Sequence, residues 1–369
     1  FQQGMGLLAV GCTVGDSDWI DLALDRISEV VTQSVDAQGV TNEQSVQYQL
    51  YNHRLYGEAY ERFAACGVDA PPGFEQVELM PEFLAHATMP NGQYVVLGDT
   101  EVRSASRIGG TVASFAATMG ARGPKPDSNV AIYDAGFLFA RTGWGEERPI
   151  ADEVYLSARF GPPPMLHGHA DGGSLTLYGY ESRLIVDPGK YSYARGEWRD
   201  YFAGQRAHNV VTVDGLPTAG DVETELVSSY VTDGFASFTL QRTIADGVTW
   251  TRRVVFSMSG YVVVDDLVDG AEGRAVSQLW HLVDDADPVV SDNVVATRRP
   301  SGNVAILQLG SVAEITTVAG EDDPIQGWMS DHYLELLPSP TVISTTTASP
   351  ARFVTVLYPS ATGFVPRAS

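Results

Sequence analysis

Apolar residues recur at helical spacing in the first third of the chain and at strand spacing beyond residue 128. Ile20, Leu24, Ile27 and Val31 follow Asp16 and Ser17. Either polar residue suits a helix N-cap, because a short side chain can accept from a free N–H of the first turn. The stretch from Gln2 to Val10 is also helix-like, and Asp36 to Asn42 is a polar turn containing Gly39. Further helices are expected from Gln44 to Ala65, stopped by Gly67, and from about Gly73 to Ala87, broken by Pro90-Asn91-Gly92. Another is expected from about Val102 to Met119. Arg122 to Asp127, rich in Gly and Pro, reads as a linker.

Short β-rich runs then follow, separated by Gly, Pro, Asp and Asn. They lie at 130–132, 137–139, 154–156, 175–177, 184–186, 210–213, 237–240, 249–256, 261–264, 279–282, 304–307 and 353–357. No helical pattern intervenes, so antiparallel sheets packed as a β-sandwich are expected. The fold class is α+β and multidomain, with a helical domain over 1–127 and a large antiparallel β-domain over 128–369. A helical layer of about 125 residues is thin beside such a β-domain, so further helices are expected before Phe1.

Gly 37 and Pro 20 in 369 residues agree with many turns. The net charge of -23 argues against nucleic acid as a partner, since that role needs a basic face. It sits awkwardly with a polyanionic partner too, but charge is local. Arg183, Lys190, Arg195, Arg199 and Arg206 fall in one stretch with only Asp187, Glu197 and Asp200. No run reaches the roughly 18–20 apolar residues of a membrane span. The chain opens at Phe1 directly into helix-like sequence, so the lack of a leader says nothing about destination. Cys12 and Cys66 exclude a cysteine-rich metal site; two buried thiols are favoured over a pair.

The chemistry concentrates in one region. It runs His167-Gly-His169-Ala-Asp171-Gly-Gly-Ser174, then Asp187-Pro-Gly189, then Arg206-Ala-His208-Asn209. Imidazoles with a carboxylate are a donor set zinc prefers. Residues i and i+2 of an extended segment share a side, so His167, His169 and Asp171 on one strand face form one candidate set. A structural hydrogen-bond cluster is the alternative.

These motifs, in this order, resemble the heparinase II/III-like family of polysaccharide lyases. Asp134-Ala-Gly136 and Arg141, the Leu97-Gly98-Asp99 loop, Gly327-Trp-Met-Ser330 and Thr355-Val-Leu-Tyr-Pro359 add to the likeness. The resemblance implies an α/α toroid, here partial, followed by an antiparallel β-sandwich domain. It implies β-elimination on a uronate: a base removes the C5 proton, an acid protonates the leaving oxygen at C4, and the carboxylate is neutralised. Glu43-Gln-Ser45-Val-Gln-Tyr48 matches the family's tyrosine motif and makes Tyr48 catalytic, with Tyr51 as the fallback. A nearby cation is expected to lower its pKa, and Arg54 on the same helix is a candidate. His167 maps to the catalytic histidine, acting as base or polarising the substrate. His169, Asp187 and His208 map to the zinc ligands of some members, and zinc is the cofactor expected. Tyr191, Tyr193, Arg199 and Arg206 are candidate substrate contacts, and Asn209 is expected to hold the His208 backbone.

The family's carboxylate-neutralising Asn or His would fall at or before Phe1, unless Asn52 or His53 replaces it. The resemblance also implies an extracellular or periplasmic location. The expected partner is an acidic polysaccharide, glycosaminoglycan-like or alginate-like; a homo-oligomer is left open. Two other functions compete: a non-catalytic carbohydrate-binding relative and a metal-dependent glycan hydrolase.

Overall fold

A computed structural model describes residues 1–216, 222–245, 247–310, 312 and 314–362. Helices come first: α1 Gln2–Val14, α2 Ser17–Ser34, α3 Val46–Cys66, α4 Phe74–Val77, α5 Met80–His86 and α6 Val112–Ala117. Asp16 caps α2 by accepting from the Trp19 N–H. The inward stripe of α2, Ala23, Ile27 and Val31, is fully buried. It shares a core with Leu8 of α1, Tyr56 and Phe63 of α3, and Phe74 of α4.

Three expectations about this region are corrected. Residues 102–119 are helical only in α6. The rest is pinned by backbone bonds to distant partners: Val102 N–H donates to Asp331 O, and Ala105 N–H donates to Gly92 O. Tertiary pairing there overrides the apolar spacing. The helix expected from Gly73 to Ala87 is two short helices, α4 and α5, with Pro81 in the first turn of the second. Cys12 and Cys66 are not thiols; they form a disulfide that ties α1 to α3.

Among the described residues the strands form three main sheets in which every strand pair is antiparallel. The first holds β1 Val130–Tyr133, β2 Phe137–Arg141, β3 Tyr155–Arg159, β4 Leu175–Gly179 and β5 Ser182–Ile185, in sequence order. The second runs β12 Val289–Ser291, β13 Val294–Ala296, β14 Asn303–Gln308, β21 Ala351–Ser360, β10 Val262–Asp269, β9 Val248–Ser257, β8 Phe235–Ala245 and β7 Glu225–Val231. The third runs β15 Glu314–Val318, β20 Thr341–Thr346, β11 Val276–His281 and β6 Val211–Val213. Four two-residue strands, β16 Glu321–Asp322, β17 Ile325–Gln326, β18 Trp328–Met329 and β19 Leu337–Pro338, make two small ladders.

Strands β2, β3 and β4 are buried along their whole length, as continuous apolar runs covered on both faces must be. One face joins the sandwich core: Leu138, Leu156 and Leu177 meet Phe238, Val254, Val264 and Leu357. The other faces the helices: Phe137, Phe139 and Tyr155 meet Leu50, Phe83 and Leu84. The expected absence of helix beyond residue 128 is also corrected. A short helix, α7 Glu197–Phe202, is inserted between β5 and β6.

Candidate active site

The site lies where three irregular segments meet the start of α3. The connecting segment Leu97–Glu101 enters beside the first turn of α3. Ser45, the N-cap of α3, makes no side-chain cap of its own. Instead the Gln47 N–H donates to Thr100 Oγ1, and the Glu101 N–H donates to Gln47 Oε1. On the other side the Asp99 N–H donates to His167 O at 2.9 Å. Gly98 makes this threading possible. Its φ is +58°, and a Cβ there would lie 2.6 Å from the carbonyl oxygens of both Gln44 and His167.

The segment that carries His167 and His169 is not a strand, contrary to expectation. Residues 166–174 are irregular and lead into β4. Gln44 holds them: its Oε1 accepts from the Met165 N–H at 2.7 Å and its Nε2 donates to Pro163 O. Gly168 is packed against the Gln44 side chain so closely that a Cβ would meet Oε1 at 2.1 Å.

Tyr48 and His167 meet face to face, with ring centroids 3.4 Å apart and planes 6° from parallel. The Tyr48 hydroxyl lies 3.1 Å from that of Tyr193. His167 is held through Nδ1, which is hydrogen-bonded to Asp99 Oδ2 at 3.0 Å, while Nε2 lies 3.4 Å from Glu43 Oε2. Lys190 lies 2.8 Å from Glu101 and 3.4 Å from the Tyr193 hydroxyl. The expected lowering of the Tyr48 pKa does not occur. Burial of the phenol, then the hydrogen bond to Tyr193, push it well above the usual tyrosine range, and Lys190 only partly opposes this. Arg54 donates to Ser106 Oγ on the exposed surface.

Asp99 is the hub of the site and is fully buried. Its Oδ1 lies 3.0 Å from His169 Nε2 and 2.6 Å from Arg199 Nη1; Oδ2 takes His167 Nδ1 and, at 3.2 Å, Arg199 Nη2. Burial pushes its carboxyl up, but the hydrogen bonds and charges of His169 and Arg199 together outweigh this and hold it below the usual carboxylate range.

His169, Asp187 and His208 are buried and offer ligand atoms that all lie within 4.8 Å of one another. Each histidine has one nitrogen on a carboxylate: His169 Nε2 on Asp99, and His208 Nδ1 on Asp187 at 3.0 Å. The remaining nitrogens, His169 Nδ1 and His208 Nε2, are buried without a hydrogen-bond partner. Two orphaned imidazole nitrogens beside a carboxylate fit a metal ion, with the second carboxylate orienting a ligand as metal sites commonly require. Burial alone would lower His208; the Asp187 charge and hydrogen bond outweigh it and raise it. That proton is one a metal would displace.

The rival set of His167, His169 and Asp171 is not assembled. Asp171 pairs with Arg159 at 3.2 Å, both buried. Asn209 does not hold the His208 backbone as expected: the His208 N–H donates to Gln205 O, and the Asn209 side chain is taken up by other segments. Its Nδ2 donates to Leu175 O and Val186 O, and its Oδ1 accepts from the His281 N–H. Below it, Arg252 donates to Gly173 O and Asn209 O while pairing with Asp266.

Two candidate substrate contacts stand apart. Tyr191 packs on Trp198 and Phe202 in a separate aromatic cluster. Arg206 lines a cleft of about 380 Å³ with Asp214, Ser277 and Gln326. A second cleft of about 390 Å³ lies along Ser34 to Gln44 with Asp134 and Met165. Neither cleft is lined by Tyr48 or His167. Tyr193 and Arg199 do reach the site. Asn52 sits beside it, with Nδ2 3.4 Å from Glu43 Oε1. Sequence reasoning missed three residues: Asp99, Glu43 and Lys190. The first two lie inside motifs already noted for other residues, and Lys190 directly follows the Asp187-Pro-Gly189 turn.

The fold is shared with solved structures of a heparan sulfate lyase and of heparinase III. The heparan sulfate lyase HepC from Pedobacter heparinus superposes with a TM-score of 0.86 at 19% identity, covering 99% of this chain and 60% of that one. A heparinase III gene product gives 0.85 at 19%, covering 98% and 59%. Another heparinase III gives 0.83 at 18%, covering 98% and 61%. The chain thus spans about 60% of the length of these structures. No curated protein matches it in sequence. The heparinase II/III-like C-terminal family profile matches residues 131–357. That stretch takes in every group from His167 to His208, and the chain belongs to the heparinase II/III-like family.

Proposed function

We propose that this chain carries the active site of a polysaccharide lyase that cleaves uronic-acid-containing chains by β-elimination. The observation that carries this reading is the stacked pair of Tyr48 and His167, with Asp99 hydrogen-bonded to the imidazole Nδ1. A phenol pushed above its usual range keeps its proton at neutral pH, which suits it to protonate the departing O4. In this reading His167 Nδ1 donates to Asp99, which leaves the lone pair on Nε2 to take the C5 proton; Glu43, 3.4 Å from Nε2, makes no hydrogen bond to it. The C5–H electron pair becomes the C4=C5 double bond, and the C4–O bond breaks. Tyr193 and Arg199 line the substrate side, and Arg199 supplies positive charge for the uronate carboxylate.

His169, Asp187 and His208 would hold zinc, a metal suited to this donor set. Bound there, it would supply positive charge that draws the three ligand-bearing segments together. In this reading residues 1–127 form a helical domain, part of an α/α toroid, and residues 128–369 a β-domain. The disulfide supports an extracellular or periplasmic location, since such bonds persist in oxidising compartments.

The test uses a panel of glycosaminoglycans and alginates, with ultraviolet absorbance reporting the 4,5-unsaturated product. A rise on at least one polymer is expected, and no rise on any sinks the reading. Tyr48→Phe should slow elimination by about 10²–10⁴-fold, the usual worth of a positioned acid or base, while polymer binding stays nearly intact.

A further inference from the structure

We propose that Asp99 is a positioning residue that couples the metal centre to His167, so that zinc held by His169, Asp187 and His208 restrains the His167 ring. The inference rests on the lyase reading only for what His167 does, not for the coupling.

The geometry leaves Asp99 little freedom. Its carboxylate is wedged between two imidazoles and clasped by both terminal nitrogens of Arg199. Turning the carboxylate to improve one contact would break another. Its backbone is fixed as well, through the bond to His167 O and the close approach at Gly98.

This clasp sets the tautomer of His169. Carboxylate oxygens only accept, so His169 Nε2 carries the hydrogen and Nδ1 carries the lone pair. Nδ1 is the buried atom without a partner, and it belongs to the cluster with Asp187 and His208. A carboxylate behind a metal-bound histidine raises the ligand's basicity and fixes its orientation. Here that same carboxylate also receives His167 Nδ1, on its other oxygen. With a metal on Nδ1, the His169 Nε2–H bond to Oδ1 would strengthen, and the share of charge left for His167 at Oδ2 would change. Asp99 comes from the segment between α5 and α6, which passes beside the first turn of α3, so it also sets where His167 stands relative to Tyr48 on α3.

The experiment uses the whole chain with ¹⁵N-labelled histidine, titrated with zinc chloride, and His167 assigned through His167→Gln. The His167 ring signals should move in step with zinc occupancy. In Asp99→Asn, chelator competition should show zinc affinity lower by about 10–100-fold, the usual loss for a removed outer-shell partner. In that variant the His167 signals should no longer respond to zinc. Elimination by it should lose kcat with KM little changed. A residue that merely stabilised the fold would lower the melting temperature but leave the zinc response of His167 intact. If Asp99→Asn does not fold, the wild-type titration decides alone. Static His167 signals at saturating zinc, no zinc binding by the wild type, or unchanged affinity in a folded Asp99→Asn would each overturn the proposal. Coupling that persists while no polymer is cleaved supports it and sinks the lyase reading instead.

Discussion

The histidines of the site and of β11 differ in the groups their ring nitrogens meet. His167 and His169 share Asp99, and His208 faces Asp187. His281, fully buried in β11, has no carboxylate partner among the described residues. Its Nδ1 lies against Asn209 Oδ1 and its Nε2 against the Gln326 amide nitrogen. That amide also donates to Arg206 O, which fixes its direction. A neutral imidazole satisfies both neighbours, whereas a cation would set two donors against each other. Burial, with the His208 charge adding to it, pushes the His281 pKa down to about 3. The sign follows from linkage. Between the ordinary value near 6.5 and about 3, the unfolded chain binds a proton that the folded chain refuses, so stability falls as pH falls through that window. One such proton is worth about 1.4 kcal/mol per pH unit. Urea unfolding of the wild type and His281→Gln at pH 6.5, 5.5 and 4.5 should show the wild type's advantage shrinking by roughly that amount per unit. A pH-independent difference would mean that His281 takes up its proton within the fold.

At the scale of elements, the Cys12–Cys66 bond joins α1 to the end of α3 across 54 residues. It closes a long loop of the unfolded chain, so replacing both cysteines by serine should cost about 2–4 kcal/mol. Thermal unfolding with and without reductant checks this, and equal melting temperatures for wild type and double variant would count against the bond. Elements with a regular pattern were legible in the sequence: the stripe of α2, the length of α3, and the runs that became β1 to β5. Strands β7 and β15 were not, because they carry no alternation of buried and exposed positions. The site was legible in the same partial way. Tyr48, His167, His169, Asp187 and His208 stand in local motifs, and the structure brings them together. Asp99 acts through partners 68, 70 and 100 residues away, and no local pattern encodes where a connecting loop will be inserted. Arg54 and Arg206 were proposed because of neighbours along the chain, and neither contacts the Tyr48–His167 pair.

The whole molecule carries a net charge of -23, and its site does not offset that locally. Three of the five cations between Arg183 and Arg206 already have carboxylate partners: Arg183 with Asp331, Lys190 with Glu101 and Arg199 with Asp99. On the lyase reading, an anionic polymer would approach a surface that repels it and meet positive charge only at close range. Screening separates the two effects. The Debye length is about 30 Å at 0.01 M salt and about 8 Å at 0.15 M, so added salt removes the long-range repulsion before it weakens contacts of a few ångströms. The expected result for a cleaved uronate polymer is that kcat/KM rises severalfold from 0.01 to about 0.15 M sodium chloride, then levels or falls, with kcat much less affected. An enzyme that steers its polymer with a basic groove behaves in the opposite way, losing kcat/KM steadily as salt is added. A monotonic decline from the lowest salt would therefore show that a local positive field around Arg199 and Lys190 reaches beyond their paired carboxylates and dominates the encounter. Repeating the series with Arg199→Gln then locates the source: if Arg199 contributes only at close range, kcat/KM drops at every salt concentration while the shape of the profile stays the same.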